Sequence, residues 1–148
     1  MKNKIKTAVL RKFIRSSARI AWLGKSAKQI ATLDLAVESA SPSIPLRLYL
    51  PPGDGPYPVV VYFHGGGWVV GDIATYDPMC RDLCDRSDTI VVAVDYRLAP
   101  EHPFPAAPED CLAALAWVAK HIELYGGRPD SIVVAGDSAG GNLAAVTS

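Results

Sequence analysis

The chain has 148 residues, with 15 basic and 15 acidic side chains, 49% apolar positions and 20% charged ones. That length suffices to bury a core, and that composition excludes disorder as the main state. No apolar run reaches the roughly 18 residues of a membrane-spanning helix, and zero net charge argues against a general nucleic-acid binder. The zero is a sum over unlike parts. Nine of the fifteen cations, from Lys2 to Lys28, precede the first acid, Asp34. Cys80, Cys84 and Cys111 form no CxxC pair and lack the four-ligand spacing of structural zinc, so neither a metal nor a disulfide is expected. Reduced thiols and the lack of a secretory apolar segment point to the cytoplasm.

Residues 3–23 predict an amphipathic helix. Ile5, Val9, Phe13 and Ile20 fall near one face, and Arg11, Arg15 and Arg19 follow at four-residue spacing. Three readings stand for it: a helix packed on the same protein with its cations solvated, a segment lying on an anionic membrane without stable insertion, or a transit peptide. Leu33, Leu35 and Val37 then alternate as in a half-buried strand. Leu46, Leu48 and Leu50 do the same after Ser41-Pro42-Ser43, predicting a hairpin. Pro51 to Pro58 is loop. Three continuous apolar runs, Val59–Phe63, Ile90–Val94 and Ile132–Ala135, have the composition of strands buried on both faces.

Helices are expected between them. One lies around Pro78–Asp85, where Cys80 and Cys84 share a face. A second starts near Pro108, carries Cys111, Leu115, Val118, Ile122 and Tyr125 as its core stripe, and ends at Gly126-Gly127. A third begins near Gly140. Residues 99–108, with four prolines, are loop. Strand and helix in alternation predict an α/β protein with a parallel sheet.

Two glycine-rich stretches follow strands and carry the chemistry. Gly136-Asp137-Ser138-Ala139-Gly140 fits G-x-S-x-G between a buried strand and a helix start. A nucleophile on so sharp a turn needs small neighbours, and Gly136, Ala139, Gly140 and Gly141 supply them. The turn would lift the Ser138 hydroxyl above the sheet and aim the Ala139 N–H at the same point. His64-Gly65-Gly66-Gly67-Trp68 follows Val59–Phe63, and its glycines let backbone N–H groups converge on a developing negative charge. A phosphate cradle is the competing use of such a run, but neither G-x-G-x-x-G nor Gly-Lys-Ser/Thr is present.

With these two motifs and the stretch Asp95–Ala107, the sequence resembles the hormone-sensitive-lipase family of α/β-hydrolases, from about Leu33 to the last residue. The resemblance implies carboxylesterase activity on short- to medium-chain esters and a mostly parallel sheet flanked by helices. It implies Ser138 as nucleophile, and Gly65, Gly66, Gly67 and Ala139 around the oxyanion hole, with Gly66 and Gly67 as the main donors of the run. Trp68 is a candidate wall of the substrate pocket, and no cofactor or metal is called for. Residues 1–31 become an N-terminal cap segment and 32–148 the N-terminal half of a catalytic domain.

The remaining polar residues are expected to be structural. His64 fixes the glycine loop by hydrogen bonding, and a role as substitute base is the alternative. Asp95 and Asp137 support neighbours, Arg97 pairs with Glu101 or Glu109, His102 is a loop residue and His121 a helix-surface residue.

In this fold the triad runs Ser, then Asp or Glu, then His along the chain. Residues 139–148 contain neither an acid nor a histidine. The sequence is therefore expected to be a fragment truncated after the nucleophile elbow, with Ile132–Ala135 at an unprotected sheet edge. Self-association or pairing with a C-terminal half is expected of such an edge. Two functions follow: a serine carboxylesterase completed elsewhere, or an inactive remnant or ligand-binding module that keeps the ester pocket.

Overall fold

The computed structural model describes residues 2–21, 30–38, 40 and 42–148. A five-stranded sheet forms its centre. In chain order the elements are α1 (Lys2–Ala21), β1 (Ala31–Val37), β2 (Ile44–Leu50), β3 (Tyr57–Phe63), α2 (Ile73–Ser87), β4 (Ile90–Val94), α3 (Ala106–His121), a 3₁₀ turn (Ile122–Tyr125), β5 (Gly127–Gly136) and α4 (Ala139–Thr147). The sheet order is β1-β2-β4-β3-β5. β1 and β2 form the expected antiparallel hairpin, and β2 also runs antiparallel to β4. The three apolar runs pair in parallel, β4 with β3 and β3 with β5.

Period-two alternation in the strands divides the core in two. Val59, Val61 and Phe63 of β3 and Ile90, Val92 and Val94 of β4 face α3 and α4, with Cys111, Ala114, Val118 and Leu143 packed on them. Tyr62, Val91 and Ala93 point the other way, with Tyr49, towards Cys80 and Cys84 of α2. Burial raises both thiols, Cys80 to about 12 and Cys84 to about 11, so they act as small apolar side chains.

Several boundaries differ from expectation. α2 starts at Ile73 rather than near Pro78, because Asp72 caps it: its Oδ1 accepts from the Thr75 N–H and from the Thr75 hydroxyl, both at 2.7 Å. Pro78 lies inside the helix without ending it. α3 starts at Ala106, which leaves Pro108 in its first turn, where a missing N–H costs no intrahelical bond. Gly126, in the left-handed region at φ 80°, ends the following 3₁₀ turn, and Gly127 already belongs to β5. The Ser41 of the expected turn lies outside the described residues.

β5 is not buried on both faces. It stands at the end of the sheet, and Val133 is 58% exposed. Ile132 and Val134 pack into the α3/α4 core, but Val133 points to the α2 side, where α2 lies over β2 and β4.

α1 departs furthest from the amphipathic pattern. Val9 and Phe13 are 64% and 69% exposed, whereas Arg11 points to the protein and is held there by hydrogen bonds. Arg11 is thus not simply solvated. The side chains of Ile5, Arg15, Arg19 and Ile20, and residues 22–29, lie outside the described residues. Among the described residues, no helix is long and apolar enough to cross a membrane.

Candidate active site

Parallel pairing brings the two glycine-rich stretches together. Phe63, the last residue of β3, is in register with Gly136, the last of β5. The loops that leave these strands therefore emerge side by side, at the carboxyl edge where α/β sheets place their sites.

On the β5 side the chain turns sharply into α4. Ser138 has φ 51° and ψ −117°, a conformation that favours glycine. Holding a serine there costs on the order of 1–3 kcal/mol and requires support from its surroundings. The support is close packing without side chains: a Cβ on Gly140 would collide with the carbonyl oxygen of Phe63. Ser138 itself is exposed, and Ala139, buried behind it, opens α4. The Ala139 N–H belongs to the first turn of a helix, whose N–H groups and dipole favour negative charge.

On the β3 side the glycine loop reverses in left-handed backbone. Gly66 has φ 128°, Gly67 φ 60° and Trp68 φ 58°. The N–H groups of Val69 and Val70 both donate to the Gly66 carbonyl, at 3.1 and 3.0 Å, closing the turn. The Trp68 carbonyl accepts from the Ala99 N–H at 2.8 Å, tying the loop to the proline-rich segment after β4.

Asp137 joins the two loops. Its Oδ1 accepts from the Gly65 N–H at 2.9 Å and from the Tyr62 hydroxyl at 2.9 Å, and its Oδ2 accepts from the Tyr76 hydroxyl at 3.1 Å. The Gly65 amide is thus held by the residue preceding Ser138. Burial raises both phenols, Tyr76 to about 12, so each stays a neutral donor to the carboxylate.

His64 is 3% exposed, and its ring stacks on Tyr96 with centroids 4.3 Å apart. Nδ1 donates to the Gly65 carbonyl at 2.8 Å, and the Tyr96 hydroxyl donates to the His64 carbonyl at 2.6 Å. Its ring is engaged in shaping the loop, and burial lowers its pKa, keeping it neutral.

Arg97 pairs chiefly with neither expected glutamate. Its Nε and Nη2 donate to the Asp110 carboxylate at 2.7–3.0 Å, and its backbone N–H donates there at 2.8 Å, while Glu109 stands 3.7 Å away. Glu101 pairs with Arg11 instead, at 2.9 Å. His121 donates from Nδ1 to the Trp117 carbonyl at 2.8 Å and stacks on that indole. Tyr62, Tyr76, Asp110 and Arg11 carry no motif signal. The first and third sit on the core-facing period of β3 and α3, which is where a buried polar partner would be sought.

Beside the glycine loop lies a cavity of about 660 Å³. Its walls include Gly67, Trp68, Phe104, Leu143 and Val146, and the lining is mostly apolar. Its volume falls in the range of small-molecule pockets.

Residues 60–148 match the family model of the alpha/beta hydrolase fold. The chain belongs to that family. The carboxylic ester hydrolase LipN of Mycobacterium tuberculosis is 49% identical over 114 residues, spanning 76% of this chain and 30% of that protein. The esterase LipI of the same organism is 51% identical over 121 residues, spanning 80% and 38%. Among solved structures, the thermostable carboxylesterase EstE1 from a metagenomic library superposes with a TM-score of 0.89 at 46% identity, over 96% of this chain and 48% of that one. The chain thus spans less than half the length of these three proteins.

Proposed function

We propose that the chain carries the nucleophile and oxyanion hole of a serine carboxylesterase acting on short- to medium-chain esters. The observation that carries this reading is the pairing of Phe63 with Gly136, which sets a strained, exposed serine beside a glycine loop on adjacent parallel strands. The esterase character of LipN, LipI and EstE1 supports it.

In this mechanism the Ser138 Oγ attacks the acyl carbon as its proton passes to a base. The carbonyl oxygen becomes an oxyanion held by the N–H groups of Gly66, Gly67 and Ala139, each donor contributing about 3 kcal/mol in the transition state. The intermediate collapses, the alcohol departs with the base's proton, and water releases the acyl group from Ser138 by the reverse steps. Gly65 is not among these donors, its own amide being engaged by Asp137. The acyl or alcohol arm lies in the cavity walled by Trp68, Phe104, Leu143 and Val146. In this reading the base and its orienting carboxylate are supplied from outside residues 1–148, and His64, whose Nδ1 is bound to the Gly65 carbonyl, shapes the loop.

The test is hydrolysis of p-nitrophenyl butyrate by the 148-residue chain alone, and joined in register to the part of EstE1 that it does not match. The joined protein is expected to hydrolyse the ester, and Ser138→Ala to lower its kcat on the order of 10⁴- to 10⁶-fold. The chain alone should stay near background. A folded, joined protein without Ser138-dependent turnover would leave the alternative, a pocket that binds esters without cleaving them.

A further inference from the structure

We propose that Arg11 is a positioning residue through which the N-terminal helix α1 holds the glycine loop in its oxyanion-binding shape. The inference rests on the role proposed above for the Gly66 and Gly67 amides.

The loop needs such a hold. Three successive residues, Gly66, Gly67 and Trp68, have positive φ, and the third carries an indole. A bulky residue stays in left-handed backbone only when its surroundings over-determine it. Within the loop, the Gly66 carbonyl gathers the N–H groups of Val69 and Val70. Outside it, the Ala99 N–H binds the Trp68 carbonyl. Arg11 adds the next contact along the chain: its Nε donates to the Val69 carbonyl at 2.8 Å.

The same guanidinium locks the segment that grips Trp68. Nη2 donates to the Ala99 carbonyl at 3.1 Å, and the Glu101 carboxylate accepts from Nη1 and Nη2 at 3.3 and 2.9 Å. The Ala99 residue thus donates to the loop through its N–H and accepts from Arg11 through its carbonyl. Arg11, Val69, Trp68 and Ala99 close a ring of hydrogen bonds that joins residues remote in sequence. The planar guanidinium fork reaches two carbonyls and a carboxylate from three separate nitrogens, whereas a lysine ammonium offers all its donors from one point.

Among the described side chains of α1, the exposed apolar pair Val9 and Phe13 is not what faces the protein. An amphipathic helix ordinarily turns its apolar side to the protein. Here Val9 and Phe13 face outward and the arginine faces inward. Among the described side chains, the Arg11 clamp is what ties α1 to the loop.

Fixing the Val69 carbonyl fixes the peptide planes that precede it, and with them the direction of the Gly66 and Gly67 N–H groups. Those donors meet full charge only in the transition state, so loosening them should slow turnover without weakening ester binding.

The experiment compares Arg11→Ala, Arg11→Lys and Glu101→Gln. In the joined esterase described above, kcat is expected to fall about 10- to 100-fold for both Arg11 variants, with KM held within about twofold. Glu101→Gln should lie between them and the parent. In the 148-residue chain, amide hydrogen exchange over residues 65–71 should quicken while β3 and β4 keep their protection. A rise in KM with kcat unchanged, or faster exchange confined to α1, overturns the proposal. Should Arg11→Ala lose protection throughout, Arg11→Lys and Glu101→Gln decide by the same two readouts. If the parent joined protein shows no turnover, the esterase reading fails, and exchange over 65–71 alone decides whether Arg11 holds the loop.

Discussion

His64 illustrates how a titratable side chain can serve a site while staying neutral. Its Nδ1–H is committed to the Gly65 carbonyl, and a second proton would place charge on a ring that is nearly fully buried against Tyr96. Burial lowers the folded-state pKa below the 6.5 of a free imidazole, although the Gly65 carbonyl and the charges of Asp95, Asp72 and Asp137 offset part of that shift. The sign follows from linkage. Below about pH 6.5 the unfolded chain binds a proton that the folded chain refuses, so stability is full above that pH and falls as pH drops towards the lowered value. Thermal midpoints recorded from pH 8 to pH 5 should stay level above 6.5 and decline below it, and His64→Gln should flatten the decline. Equal slopes in the two proteins would remove His64 as its source.

At the scale of elements, the Arg97–Asp110 pair fastens the segment after β4 to the first turns of α3. Asp110 has a side chain only 4% exposed and Arg97 is 26% exposed, and the carboxylate also caps the Arg97 N–H. Asp110→Ala would strand most of a guanidinium charge. We expect a loss of roughly 2–4 kcal/mol in urea unfolding, somewhat below the fully buried case because Arg97 reaches water. Asp110→Asn, which retains an acceptor, should lose less. An unchanged urea midpoint for Asp110→Ala would show that the segment is held by packing instead.

This pair also shows where sequence reasoning reaches its limit. The strands and α3 were legible because their apolar residues recur at fixed periods, and the two loops because glycines follow strands. Arg97 is recognisable as an ion-pair partner, but Glu109 and Asp110 stand side by side and the sequence does not rank them. Asp110 shares the inward face of α3 with Ala107 and Ala114, so helix face and burial choose it over the adjacent Glu109. α2 starts before the Pro78–Asp85 stretch because the Asp72 cap that opens it carries no apolar signal. The rotation of α1 was hidden for a different reason: hydrophobic periodicity presumes that apolar burial sets orientation, and among its described side chains Arg11, not Val9 or Phe13, faces the protein.

For the molecule as a whole, β5 ends the sheet and leaves one long strand edge, with Val133 beside it, open among the described residues. Pro129 interrupts its donors at one end, but the apolar stretch Ile132–Val134 carries no charge. Such an edge templates further pairing, and a net charge of zero offers little repulsion against it. Light scattering should therefore report concentration-dependent association of the 148-residue chain. Val133→Lys should reduce that association while moving the unfolding free energy by no more than about 0.5 kcal/mol. Association undiminished by the lysine would locate the contact on another surface.

The turn at Ser138 bears on any effort to make this protein hardier. Glycine accepts φ 51° and ψ −117° without penalty, so a screen for heat resistance would favour losing that side chain early. Selection for toughness and selection for the proposed nucleophile therefore pull position 138 in opposite directions. Breeding for stability alone would tend to leave a sturdier, silent scaffold.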